Sequence, residues 1–171
     1  VDKQAPILME IGSPNAQEII AESDWSDVMI QLTVRELEQL NPDSLVLNYA
    51  VHPAGLGLNV AAMYDGQTPM ELLGGRAHGE QIPIAATLDL DDIISESDRT
   101  EALELRVWVT GEDMAGNAFS EDFNDVDAPF HTWDLEQRVP DFTFVGEPSV
   151  KYGGDSVRVD ETVEISATIV N

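Results

Sequence analysis

The chain has no cysteine, and only two of its 171 residues, Lys3 and Lys151, are lysine. Without cysteine there is neither a disulfide framework nor a thiolate metal site. Stability must then come from the core, from ions or from neighbouring domains. No stretch approaches the roughly 18–20 consecutive apolar residues that a membrane span needs, so membrane insertion within this chain is not expected. The opening residues lack a charged n-region followed by an apolar h-region. The expectation is an interior piece of a longer exported protein whose signal and anchor lie elsewhere. No N-x-S/T sequon occurs, so N-glycosylation is not indicated.

Catalytic signatures are missing too. There is no G-x-S-x-G, no H-E-x-x-H, no P-loop and no dinucleotide fingerprint. His52, His78 and His131 lie far apart without a spacing that suggests a shared metal, and each reads as a surface or half-buried residue. Pairs of carboxylates suited to glycoside hydrolysis can be drawn anywhere among 33 acidic residues, so such a pair carries no information. The chain is not expected to be an enzyme and requires no cofactor.

What is present is acid. Thirty-three acidic residues stand against eight basic ones, a formal charge of −25. A polyanion of this kind repels nucleic acid and anionic headgroups, which excludes them as expected partners. The hydrophobic fraction of 43% is that of a globular chain, so the charges belong on the surface of a folded body. Two readings of that surface compete. One is halophilic, where strong screening removes self-repulsion; the other is binding of divalent cations such as Ca²⁺ by clustered carboxylates. The scarcity of lysine favours the first.

Period-two alternation predicts an all-β chain. A first strand is read over 5–11, and Val28, Ile30, Leu32 and Val34 mark a second. Leu45, Leu47, Tyr49 and Val51 mark a third after the Asn41-Pro42-Asp43-Ser44 turn. A fourth is read over 58–64, closed by Asp65-Gly66, and a fifth over 82–90, where Pro83 suggests an edge. Leu103, Leu105, Val107 and Val109 alternate with Glu104, Arg106, Trp108 and Thr110 in the sixth, and 118–123 with 128–135 supplies the seventh. Residues 17–23 and 91–101 leave room for helical turns. Seven strands with turns every 8–20 residues fit a β-sandwich.

The sixth strand ends in Thr110-Gly-Glu-Asp-Met-Ala-Gly-Asn117, where Gly116 or Asn117 can take positive φ at little cost. Asp113 and Asn117 are expected to make side-chain-to-backbone turn bonds there. A strand ending in T-x-x-D-x-A-G-N resembles the penultimate hairpin of bacterial and archaeal surface immunoglobulin-like or fibronectin-type domains. The opening D-K-Q-A-P resembles the junctions between modules of surface repeat proteins. These resemblances imply an immunoglobulin-like β-sandwich over 1–135, then a linker at 136–141.

Residues 142–171 begin something else. The pattern P-D-F-x-x-x-G…G-D-x-V-x-V-x-E-T-V-x-I-S-A-T-I-x-N resembles the opening of CARDB domains, the cell-adhesion-related sandwiches of bacteria and archaea. The resemblance covers about the last thirty residues and implies the first strands, a β-hairpin segment, of an incomplete second sandwich. Two or three strands without a partner sheet are marginal in water. Completion is expected from a polypeptide continuing past Asn171, from docking on another subunit by strand donation, or from packing on the first domain.

Asp122-Phe123-Asn124-Asp125-Val126-Asp127-Ala128-Pro129 resembles the cadherin linker D-x-N-D-x-A-P with one residue inserted. Ca²⁺ takes six to eight oxygens, so Asp122, Asn124, Asp125 and Asp127 are candidate ligands, with Asp89, Asp91 and Asp92 a second candidate group. A solvated acidic turn is the alternative. Trp25, Trp108 and Trp133 are candidate sugar-stacking platforms, weighed against packing on neighbouring strands. The function expected is that of a non-catalytic structural or adhesive module of an extracellular, cell-surface protein. Its partners would be adjacent domains, neighbouring subunits, or a surface glycan or protein. The alternatives are a carbohydrate- or peptide-binding accessory domain of a secreted hydrolase, and a filament subunit assembling through 142–171.

Overall fold

The computed structural model describes residues 4–57 and 59–136 and, beyond them, 143–144, 149–151, 164–166 and 169–170. The chain divides into two compact units, Val1–Arg138 and Val139–Asn171.

In the first unit the alternating runs become two four-stranded antiparallel sheets. β1 (Ile7–Ser13), β2 (Val28–Glu36), β5 (Glu71–Leu72) and β6 (Gly79–Leu88) form the first, in the order β1-β2-β6-β5. β3 (Val46–Pro53), β4 (Tyr64–Pro69), β7 (Leu103–Thr110) and β8 (His131–Asp134) form the second, in the order β4-β3-β7-β8. This is an all-β sandwich. The chain crosses from one sheet to the other after every second strand. The inward residues of both sheets belong to one core: Ile30, Leu32 and Ile84 from the first meet Leu47, Leu105 and Val107 from the second. A four-residue helix, α1 (Leu90–Ile93), and 3-10 turns at Glu22–Asp27, Pro42–Ser44 and Asp98–Thr100 fill the connections.

Three elements depart from expectation. The fourth strand does not occupy 58–64. The described residues of 54–63 form a loop, and β4 starts at Tyr64 and runs straight through Asp65-Gly66. Gly66 lies opposite Tyr49 and is there for space: a Cβ at this position would meet the Tyr49 hydroxyl and come within 2.7 Å of its Cζ. The seventh strand shrinks to His131–Asp134. Residues 119–130 are irregular, while Ala118 keeps a bridge to Glu112 and Leu135 one to Ile20. Pro83 lies within β6, which has neighbours on both sides. Its carbonyl accepts from Leu73 N–H, so its nitrogen also faces the two-residue β5. The missing donor therefore removes no bond to β2.

The described part of the second unit consists of β9 (Thr143–Phe144), β10 (Ser149–Lys151), β11 (Glu164–Ser166) and β12 (Ile169–Val170). They pair antiparallel as β9 with β12 and β10 with β11. Most of the stretch that carries the CARDB resemblance, and the 137–141 part of the linker, lies outside the described residues.

Candidate functional site

Three places bring polar chemistry together: the hairpin after β7, the acidic loop before β8, and the outer face of the second sheet. In the hairpin, Gly116 takes positive φ (88°), and Asp113 is buried beneath it. Its Oδ1 accepts from Ala115 N–H and Asn117 N–H, both at 2.8 Å, and its Oδ2 accepts from the Asn117 amide at 2.6 Å. Burial alone pushes the Asp113 carboxyl up, but these bonds outweigh it and hold the group below the usual carboxylate range. The same hairpin is tied to the β2–β3 connection through Met114 N–H to Gln39 O (2.8 Å) and Asn41 N–H to Glu112 O (3.0 Å). The side-chain-to-backbone bonds expected of Asp113 are thus present, whereas the Asn117 side chain bonds the Asp113 carboxylate.

In the acidic loop, the four candidate calcium ligands have other work or point elsewhere. Asn124 is buried, accepting Val109 N–H at 2.8 Å and donating to Val109 O at 2.6 Å. β8 pairs with β7 only from Glu104 to Val107, so the next outward-facing backbone groups of β7 have no strand beside them. The Asn124 carboxamide, with one donor and one acceptor, stands in for that strand. Asp125 Oδ1 accepts from Asp127 N–H (2.9 Å) and Ala128 N–H (2.6 Å), closing an Asx turn. Asp122 and Asp127 are exposed. In the second group, Asp89 caps α1 by accepting Asp92 N–H at 3.0 Å. Asp91 pairs with Arg99 at 2.7 Å, and Arg99 in turn lies over the Trp25 ring, 5.8 Å from its centroid. Among the described residues, no three His, Cys, Asp or Glu side chains gather where a metal ion would be held.

Trp25 and Trp133 are buried, and Trp108 is half-buried on the outer face of the second sheet. Trp133 donates to Asn15 O at 3.1 Å, and His131 Nε2 lies 3.0 Å from Ala16 O, so both fasten the β1–β2 connection to β8. Two of the three candidate sugar platforms are therefore core and anchor residues. An apolar groove of about 300 Å³ runs between β1 and the acidic loop, lined by Pro6, Leu8, Phe119, Phe123 and Phe130.

The outer face of the second sheet holds what the sequence did not suggest. Ala50, His52 and Arg106 are out of phase with the core positions Leu47, Val51, Leu105 and Val107, yet they are 0%, 2% and 1% exposed. The described residues of the 54–63 loop lie beside them, with Arg106 Nη2 donating to Gly57 O at 2.7 Å. Arg106 also holds Glu104, through Nε at 2.7 Å and through Nη2. His52, expected at the surface or half-buried, is enclosed, and neither ring nitrogen makes a hydrogen bond. Burial first, then the Arg106 charge, holds its pKa below the ordinary histidine range, with the Val60 backbone and Glu104 pulling the other way. The alternation of β7 reads as one buried and one solvated face, and nothing in it shows that a loop covers the second.

No family model, no curated protein and no solved structure matches this chain. Among the described residues no helix is long and apolar enough to cross a membrane.

Proposed function

We propose that the chain is a non-catalytic structural or adhesive module of an exported, cell-surface protein. The observation that carries this reading is how the loops use their polar side chains. Asp113, Asn124, Asp125, Asp89 and Arg99 all hold backbone in place, so the connections are braced. A braced sandwich transmits force and keeps its ends at a fixed spacing, which suits a module in an array. The acidic surface fits the same role in concentrated salt. Residues 4–136 contain four arginines and no lysine, so most carboxylates have no cationic side chain available and depend on solvent ions.

Open sheet edges would favour strand donation, but here they are blunted. β1 has two register irregularities, β5 is two residues long, β4 carries Asp65 and ends at Pro69, and β8 has four residues. That supports a module that joins its neighbours end to end or through side chains over one that accepts a foreign strand.

Stretching the full chain by single-molecule force spectroscopy tests the reading. The sandwich is expected to give one cooperative unfolding step, strengthened by molar sodium chloride and by millimolar calcium no more than by ionic strength alone. Stepwise yielding at low force would sink the structural reading. A melting temperature raised by calcium alone would instead favour a calcium-stiffened rod. Saturable glycan binding abolished by Trp108→Ala would favour the accessory-domain alternative.

A further inference from the structure

We propose that the 54–63 loop is an acid-released cover, in which protonation of His52 beside Arg106 lifts the loop from the outer face of the second sheet. The loop is pinned at both ends by backbone bonds, Ala54 N–H to Ala102 O (2.7 Å) and Met63 N–H to Val51 O (2.8 Å). Between them the Arg106 bond to Gly57 O fixes its middle. Residues 54–63 contain no charged side chain that could neutralise a second cation beneath them. The charged groups that face His52 come from the sheet. Arg106 and Glu104 lie on β7, Asp65 on β4 opposite Ala50, and Asp134 on β8 opposite Glu104.

Glu104 is the nearest carboxylate and is already engaged by Arg106. A protonated His52 would therefore be a second buried cation beside one ion pair, with no carboxylate of its own and only the Val60 backbone to set against its burial and the Arg106 charge. A buried charge without a partner is among the costliest arrangements in a protein interior. Opening the loop relieves this, because it admits water to the ring and separates it from Arg106. The low pKa enforced by enclosure has the matching consequence. The closed form excludes the proton, while the open form binds it as ordinary histidine does, so acid favours opening.

With an ordinary histidine pKa of about 6.5 in the open form, the opening equilibrium should rise roughly 10- to 30-fold between pH 7.5 and pH 5. Hydrogen exchange of the full chain, corrected for the intrinsic pH dependence of amide exchange, reads this directly. Protection of 54–63 should fall by that factor in the wild type and in His131→Gln, and stay constant in His52→Leu. Equal loosening in His52→Leu, or an unchanged wild-type loop, would overturn the proposal. A measurement that needs no variant accompanies it. In the wild type, the His52 ring and the Gly57 amide should titrate together by NMR, with a midpoint below the ordinary histidine value of about 6.5. A His52 ring that titrates while Gly57 stays still would overturn the proposal as surely.

Discussion

Two polar side chains are buried against the same sheet, and their accounts are opposite. Asn124, 6% exposed, gives both its donor and its acceptor to Val109 and completes a strand that is not there. His52, 2% exposed on the outer face, makes no hydrogen bond at either nitrogen. Both were removed from water at similar cost, and only one recovers it. The difference teaches that burial alone does not rank a polar residue. Asn124 is a structural part whose loss leaves backbone groups orphaned, whereas His52 is a liability tolerated at neutral pH.

Replacing Asn124 should therefore have the largest effect. Asn124→Ala leaves Val109 N–H and C=O buried beside an empty volume, and each orphaned group costs about 1–3 kcal/mol. A loss of about 3 kcal/mol by urea denaturation is expected. A loss under about 0.5 kcal/mol would mean that water or a shifted loop replaces the carboxamide. Asp113→Ala comes next. Its bonds lie in a hairpin whose freed donors can reach water, so about 2 kcal/mol is expected. The pH dependence has a definite sign. A carboxylate with a depressed folded pKa contributes stability that is fully present above its unfolded value near 4 and is lost as pH falls through the folded value. Asp113→Ala should therefore flatten the stability curve below about pH 4 and, above it, lower the curve without changing its slope.

The same comparison reverses sign at His52. His52→Leu removes an unsatisfied polar group without opening a void and should stabilise by about 1 kcal/mol at pH 7.5. Its pH signature lies higher than that of Asp113. The folded pKa is lowered, so below the unfolded value of about 6.5 the unfolded chain takes up a proton that the folded one refuses. Stability then falls as pH drops through that window until the folded value is reached. His131, also lowered by burial, adds a fall of the same direction. His52→Leu should remove part of the loss between pH 7 and 5, and His52→Leu with His131→Gln the rest. A double variant that keeps the full slope would show that neither ring binds its proton more weakly in the folded chain than in the unfolded one.

How much of this was legible follows from which residues repeat with period two. β2, β3 and β7 could be read because Val, Ile and Leu recur on every second position and those positions are the core. β4 could not. Its sequence Tyr-Asp-Gly-Gln-Thr-Pro has no apolar repeat, and its one glycine serves the Tyr49 ring where a turn was expected. The apolar run just before it drew the reading instead, and that run includes a loop covering an outer face. For the same reason the His52–Arg106 cluster was invisible: in a strand pattern the positions opposite the core read as solvated. The hairpin bonds of Asp113 were readable because they are local. The bond of Asn124 to Val109 spans fifteen residues and depends on β8 starting late, at His131. Without that boundary, Asp122, Asn124, Asp125 and Asp127 look like ligands waiting for an ion.

The smallest effect sharpens the account of Asn124 by testing its neighbour. Phe123 is 80% exposed and sits at φ 56°, a conformation that costs an L-residue of this bulk roughly 1 kcal/mol. The strain follows from the chain's reversal, which must deliver the Asn124 carboxamide inward to Val109. Asparagine tolerates positive φ far better than phenylalanine. If the loop conformation is set by the Asn124 bonds, Phe123→Asn keeps those bonds and relieves the strain, gaining up to about 1 kcal/mol. In an Asn124→Ala background only backbone bonds such as that from residue 124 N–H to Glu121 O hold the reversal, and the gain should shrink, a coupling that a double-mutant cycle measures. A loss of stability in the single variant would instead mean that the Phe123 ring, at the rim of the groove with Phe119 and Phe130, contributes more by contact than its backbone costs.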